Sequence, residues 1–209
     1  MIVIDDYARD PEEIIAEAAA LDYAPIGPNF PGVRARVPDA LVLAVRNSLA
    51  GLIRETFGLD DELNRIESYY SLITTPPDEL NILQRLPHFD GLGAKRIAIL
   101  HHLGRAEGTA TAFFRHRATG FETISDERLG AYNGTVNAEL HRLGLPPAAY
   151  MDGDTPIYER IARYEARFNR LLVYRGATLH AGELPAGATL AADPRTGRFS
   201  VNTFIWLSP

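Results

Sequence analysis

From residue 63 onward the apolar residues of this chain gather into short runs of β-strand character, at 66–74, 96–103, 109–117, 170–174 and 199–207. No regular series of helices separates them. Parallel neighbours need crossovers of a dozen or more residues, usually helical, so the pattern argues against a doubly wound parallel sheet and for an antiparallel sandwich or barrel. One helix interrupts the series at 125–143, with Leu129, Tyr132, Val136 and Leu140 along its apolar side and Gly144 behind it.

The first 62 residues have a different character. Residues 2–4 read as a short strand. Asp10 can cap a helix that has Pro11 at its first position and Glu13 completing a capping box. Pro11, Ile14, Ile15, Ala18 and Ala19 then share one helical face. Residues 23–38 contain Gly27, Pro28, Pro31 and Gly32 without a sustained period and are expected to form a long loop. A second helix is expected over 39–57, with Leu41, Val45, Leu49, Leu52 and Ile53 inward and Gly58 as its stop. With 209 residues the chain suits one core. The expectation is a single domain over 1–209: a helical N-terminal layer at 1–62 and a β core at 63–209 with one inserted helix.

Composition limits the chemistry. The formal net charge of −6 disfavours a bulk electrostatic partnership with nucleic acid, which needs a basic surface. The absence of cysteine excludes disulfides, thiolate metal sites and a cysteine nucleophile. Any metal must therefore be held by histidine and carboxylate. No stretch approaches the roughly 20 apolar residues of a membrane span, and the start lacks the basic region and apolar run of a signal peptide. A cytoplasmic protein without a membrane partner is expected.

Within those limits one constellation stands out. Leu86-Pro87-His88-Phe89-Asp90-Gly91 places an imidazole and a carboxylate two residues apart, on one side of an extended chain. Far downstream, His180 follows an apolar run and a glycine-permitted turn. Two histidines and one carboxylate form a facial triad that leaves positions open for ligands, as iron(II) oxygenases require. Arg198 opens the last strand-like run 18 residues after His180. Its guanidinium could hold the far carboxylate of an oxo acid, with the Ser200 hydroxyl on the same strand face. Tyr69 and Tyr70 lie in the run before His88, and one of them, taken here as Tyr70, is expected to line the cosubstrate pocket.

The order His88-Phe89-Asp90, His180, Arg198-Phe199-Ser200 resembles that of the 2-oxoglutarate/iron(II) dioxygenase superfamily, particularly its prolyl-hydroxylase-like branch. The opening Ile2-Val3-Ile4-Asp5-Asp6 before a helix is also similar to that branch. Residues 108–120 and Asn169-Arg-Leu-Leu-Val-Tyr-Arg-Gly176 look like an uncharacterised bacterial family of such proteins. The resemblance implies a double-stranded β-helix, or jelly roll, with the N-terminal helices packed on it. His88, Asp90 and His180 would be catalytic metal ligands for iron(II), and 2-oxoglutarate the cosubstrate. Prolyl hydroxylases end a strand in Tyr-Tyr-Leu-Asn, the second tyrosine contacting 2-oxoglutarate. This chain has His101-His102-Leu103-Gly104, so His102 takes that place. The interval from His180 to Arg198 exceeds the usual one and contains a Gly-, Ala- and Pro-rich stretch at 185–196, which leaves Arg195 as a rival anion holder.

The expected activity is hydroxylation of a small molecule, peptide or protein with dioxygen. The intact Asp90 speaks against halogenation. Two other classes remain open: a non-catalytic metal and 2-oxoglutarate sensor, and a cupin-type metal enzyme. Neither substrate nor oligomeric state is legible. Arg34, Arg36, Arg115 and Arg117 offer either an anionic-substrate rim or solvated faces. His116 reads as exposed or substrate-facing, His101 as packed opposite to His102.

Overall fold

The computed structural model describes residues 1–59, 62–93 and 95–208, with 62–64 and 207–208 described by backbone alone. Asp60, Asp61, Ala94 and Pro209, which fall within the expected single domain, lie outside the described residues. The order of elements is β1 (Ile2–Ile4), α1 (Pro11–Ala19), β2 (Gly32–Arg36), α2 (Asp39–Phe57), β3 (Glu62–Ile73), β4 (Arg96–His102), β5 (Ala110–His116), α3 (Asp126–Leu143), β6 (Tyr158–Glu165), β7 (Arg170–Arg175), β8 (His180–Glu183) and β9 (Arg198–Ser208). The protein is mainly antiparallel β with a few helices, compatible with a jelly-roll-like core.

Six strands form one sheet in the order β1-β7-β4-β9-β3-β2, and three form a second in the order β6-β5-β8. Every pairing between these strands is antiparallel. Between the sheets, Ala98, Leu100, Leu172 and Tyr174 of the large sheet meet Phe113 of the small one, with Ala162, Tyr164 and Phe204 packed around them. Truncating Phe113 there removes on the order of 3–5 kcal/mol.

Strand parity assigns the other faces. Alternate residues of β9, Phe199, Val201 and Ile205, turn away from the small sheet and pack under α1 and α2, against Ile15, Ala18, Leu49 and Ile53. The other outer face, carrying Ala112, Phe114 and Ala181, packs under Tyr132 and Val136 of α3. The start of α1 and the end of α2 follow their expected chemistry, except that the Glu13 side chain does not complete the capping box. The Asp10 carboxylate accepts the Glu13 amide at 3.2 Å. Gly58 ends α2 at φ 62°, in the left-handed region glycine occupies without strain.

Several expectations need correcting. The segment at 23–38 contains β2, whose five residues pair with β3, so the N-terminal part supplies strands to the large sheet as well as helices. The strand β6 carried no recognised signal. A bulge opposite Phe113 and Phe114 skips Ile161 and breaks its alternation. Leu52, expected inward, is 37% exposed.

Candidate functional site

The loop carrying His88 and Asp90 is stitched onto the turn before β8. The His88 amide donates to the His180 carbonyl, and the His180 amide to the His88 carbonyl, both at 2.8 Å. The Asp90 amide donates to the Gly176 carbonyl at 2.7 Å. Phe89, between the two, turns the other way and meets Tyr132 edge-on in the α3 core. The alternation of side chains about an extended backbone therefore aims His88 and Asp90 inward and anchors their neighbour outward.

One donor atom from each of His88, Asp90 and His180 lies within 4.8 Å of the others. His180 Nε2 is 3.5 Å from Asp90 Oδ2, and His88 Nε2 is 3.9 Å from Asp90 Oδ1. His180 Nδ1 donates to the Thr178 carbonyl at 2.8 Å, which leaves its Nε2 lone pair directed at the cluster. Asp90 Oδ2 is buried and accepts no hydrogen bond. A buried carboxylate oxygen without a partner costs free energy unless a cation completes it. The donor set, two imidazoles and a carboxylate on one side, fits a divalent transition metal. His88 stands at the mouth, with its side chain 55% exposed. Withdrawal from water, then the nearby His180 ring and the Arg34 charge, push its pKa down, opposed by Asp90. The neutral ring that results is the form that binds metal.

Further polar residues line the inner face of the large sheet. Arg198, Ser200 and Asn202 of β9 stand opposite Ile73, Ser71 and Tyr69 of β3, and Ser200 stands opposite His102 of β4. Arg198 is 6% exposed. Its Nη2 makes one long bond to the Ala110 carbonyl at 3.4 Å, and its Nε has no partner. No carboxylate pairs with it among the described residues. Burial pushes its pKa down to about 10, so it stays charged at neutral pH. His102 is buried beside it, 3.4 Å from the Thr111 hydroxyl of the small sheet. Burial and the Arg198 charge hold its pKa well below the ordinary value, keeping it neutral. Gly182 leaves room for the guanidinium: a Cβ there would lie 3.3 Å from Arg198 Nη2. Arg195, the rival, is exposed and 3.6 Å from Asp193, away from this role.

The residues expected from sequence thus converge, with one correction. Tyr70 does not join them. It stands opposite Val201, on the face turned to α1, in the cluster with Ile15, Ala18 and Phe199. Its hydroxyl donates to Glu17 at 3.4 Å. Tyr69, one residue earlier, has the inward parity. Sequence reasoning also missed Tyr174. It is buried on the inner face of β7, edge-on to His180 at 4.8 Å between ring centroids, within electrostatic reach of both Asp90 and Arg198. It stands opposite Ala98 in the large sheet, and counting that parity from the strand register would have found it. His116, read as exposed, is buried under α3, bonded to Glu139 at 2.7 Å and Thr119 at 2.8 Å. His101 packs on the helix side, as expected.

Two facing antiparallel sheets with this histidine–carboxylate cluster between them make a fold similar to that of a solved structure. HygX from Streptomyces hygroscopicus, solved with nickel, 2-oxoglutarate and hygromycin B, superposes at a TM-score of 0.54 and 14% identity, covering 99% of this chain and 82% of HygX. Its structure with nickel and 2-oxoglutarate gives 0.52 and 16%, with the same coverage. The chain belongs to the family described as "Family of unknown function (DUF6445)", whose model matches residues 1–205. No curated protein matches it. Among the described residues, no helix is long and apolar enough to cross a membrane.

Proposed function

We propose that this chain is an iron(II)- and 2-oxoglutarate-dependent oxygenase, a single double-stranded β-helix domain of the prolyl-hydroxylase-like branch, which hydroxylates a small molecule, peptide or protein. The observation that carries the reading is Arg198: a buried guanidinium without a counter-ion among the described residues, turned into the space between the sheets that His180 of β8 also faces. Burying an unpaired charge is expensive, and a dianionic oxo acid reaching from the metal supplies the missing partner. The 2-oxoglutarate and metal bound to HygX support it further.

In this reading His88, Asp90 and His180 would hold iron(II). The iron with its cosubstrate supplies the oxidation: one oxygen atom goes to the substrate C–H bond, the other to succinate, and carbon dioxide leaves. Thr178 keeps the His180 ring oriented through Nδ1. Arg198, with Ser200 and neutral His102 beside it, grips the distal carboxylate. Tyr174 and Phe113 fill the space between the sheets and exclude water, which strengthens each of these contacts.

Anaerobic addition of iron(II) and 2-oxoglutarate should produce a metal-to-ligand charge-transfer band that His180→Ala lacks. Under air, succinate should form slowly without added substrate and cease in Asp90→Ala, which separates an enzyme from a sensor. A wild-type protein without the band sinks the reading.

A further inference from the structure

Arg34 has no role in the function above, yet its side chain lies on the same inner face of the large sheet as Arg198 and Ser200. It lies on the edge strand β2 opposite Ser71, on the inward face. Its Nε donates to the Ser71 hydroxyl at 3.2 Å, and its guanidinium lies over the Phe30 ring at 3.9 Å from the centroid, with Tyr69 at 5.3 Å. Those contacts fix the plane of the fork and use one of its five N–H groups. Neither terminal nitrogen makes a hydrogen bond, and no carboxylate pairs with Arg34, among the described residues. Asp90 of the metal loop lies within its electrostatic reach and favours its charge.

Charge at the loaded centre makes this fork conspicuous. A divalent metal, Asp90, a dianionic oxo acid and Arg198 would cancel, which leaves Arg34 in surplus together with Arg96, whose guanidinium is stacked over Phe204 and Trp206. Another arginine of the same face is already committed: Arg65 bonds Glu67 at 2.5 Å. Arg36, two residues along β2, is exposed. A guanidinium that is partly desolvated, held by Ser71 and Phe30, and without a carboxylate partner among the described residues is a bidentate receptor for a planar or tetrahedral anion.

We infer that Arg34 is a specificity residue for the primary substrate, which carries a carboxylate or phosphate group that takes the open edge of its fork next to the metal. This rests on the oxygenase reading and names the chemical class that reading leaves open. An anchored anion would hold the substrate's oxidisable carbon over the metal, and the Phe30 and Tyr69 rings would flank the bound group.

The test uses protein loaded anaerobically with iron(II) and 2-oxoglutarate, so that the charge-transfer band reports the metal and cosubstrate while calorimetry reports the anion. Benzoate and phenyl phosphate are the anionic probes, with benzyl alcohol as the neutral one. Both anions should bind and benzyl alcohol at least ~10-fold more weakly. Arg34→Gln should weaken both anions ~10-fold or more and keep the band; Arg36→Gln should change affinity less than ~2-fold. The tighter of the two anions then identifies carboxylate or phosphate as the substrate's group. Equal binding of the alcohol, unchanged affinity in Arg34→Gln, or anions that discharge the band and so occupy Arg198, would each overturn the assignment. A missing band in the wild type strikes the oxygenase reading instead.

Discussion

Glu183 and Gly182 are neighbours on β8, and the two sides of the strand treat buried charge in opposite ways. Outward, the Glu183 carboxylate is 3% exposed and fully answered: Arg160 reaches both its oxygens at 3.0 and 3.1 Å, Arg163 reaches one at 3.0 Å, and the Gly153 amide donates at 2.9 Å. Inward, Gly182 makes room for Arg198, a buried cation answered by one long bond to a carbonyl. Folding alone explains the first arrangement. The second has a cost that no carboxylate among the described residues offsets, and such a cost persists where a ligand repays it.

The largest effect should come from removing the unanswered charge. Arg198→Met keeps the length and the apolar contacts of the side chain. It should weaken 2-oxoglutarate binding by about 2–5 kcal/mol, on the order of 30-fold to several thousandfold. The unliganded protein should lose no stability and should gain some, since an unpaired buried charge is gone. Titration of the charge-transfer band and urea unfolding of the apoprotein check the two halves. Unchanged cosubstrate affinity, or an apoprotein less stable by more than about 1 kcal/mol, would show that Arg198 is structural like its neighbour across the strand.

The answered charge should behave in the reverse sense. Glu183→Leu should destabilise the apoprotein by about 3 kcal/mol, at the low end for breaking a buried pair, because Arg160 and Arg163 are each about one-third exposed and can turn to water. The 2-oxoglutarate affinity of the folded fraction should stay within about 2-fold, because Glu183 faces away from the cleft. A large loss of affinity without loss of stability would erase the distinction between the two faces.

How far this contrast was legible in the sequence depends on which residues local pattern can place. His88 and Asp90 were legible because an i, i+2 pair in extended backbone shares a side wherever the segment docks. His180 and Arg198 were legible through order along the chain and through the resemblance that order carries. Tyr70 was misplaced, and Tyr174 overlooked, because inward and outward differ by one residue and only the register with β9 and β4 decides between them. The strand β2 hid among prolines and glycines, and with it Arg34's inward parity. The strand β6 hid because its bulge breaks the period. The His116–Glu139 pair joins residues 23 apart across two elements, which no local spacing announces. Helix ends, set by Asp10 and Gly58, were readable because capping is local chemistry.

His101 shows a third way to bury an ionisable group, which is to keep it neutral, and it yields the smallest of these effects. It packs on the helix side of β4, edge-on to Tyr7, with its Nε2 donating to Asn169 Oδ1 at 2.9 Å. The Asn169 amide is oriented by two bonds to Ala8, so its oxygen faces the ring. Burial pushes the imidazole down from 6.5 to about 4, against the opposing pull of Asn169. Between those values the unfolded chain binds a proton that the folded protein refuses. The stability held with His101 neutral is therefore complete above about pH 6.5 and falls as the pH drops toward 4, by about 2 kcal/mol at pH 5. Other buried histidines contribute to the total, so the informative quantity is a difference. His101→Gln retains a donor for Asn169 but cannot titrate. Its urea-unfolding free energy should fall less between pH 7 and pH 5 than that of the wild type, by about 2 kcal/mol. Equal losses in the two proteins would mean that His101 accepts its proton in the folded state, and that this buried group, unlike Arg198, is not held in a single charge state by the fold.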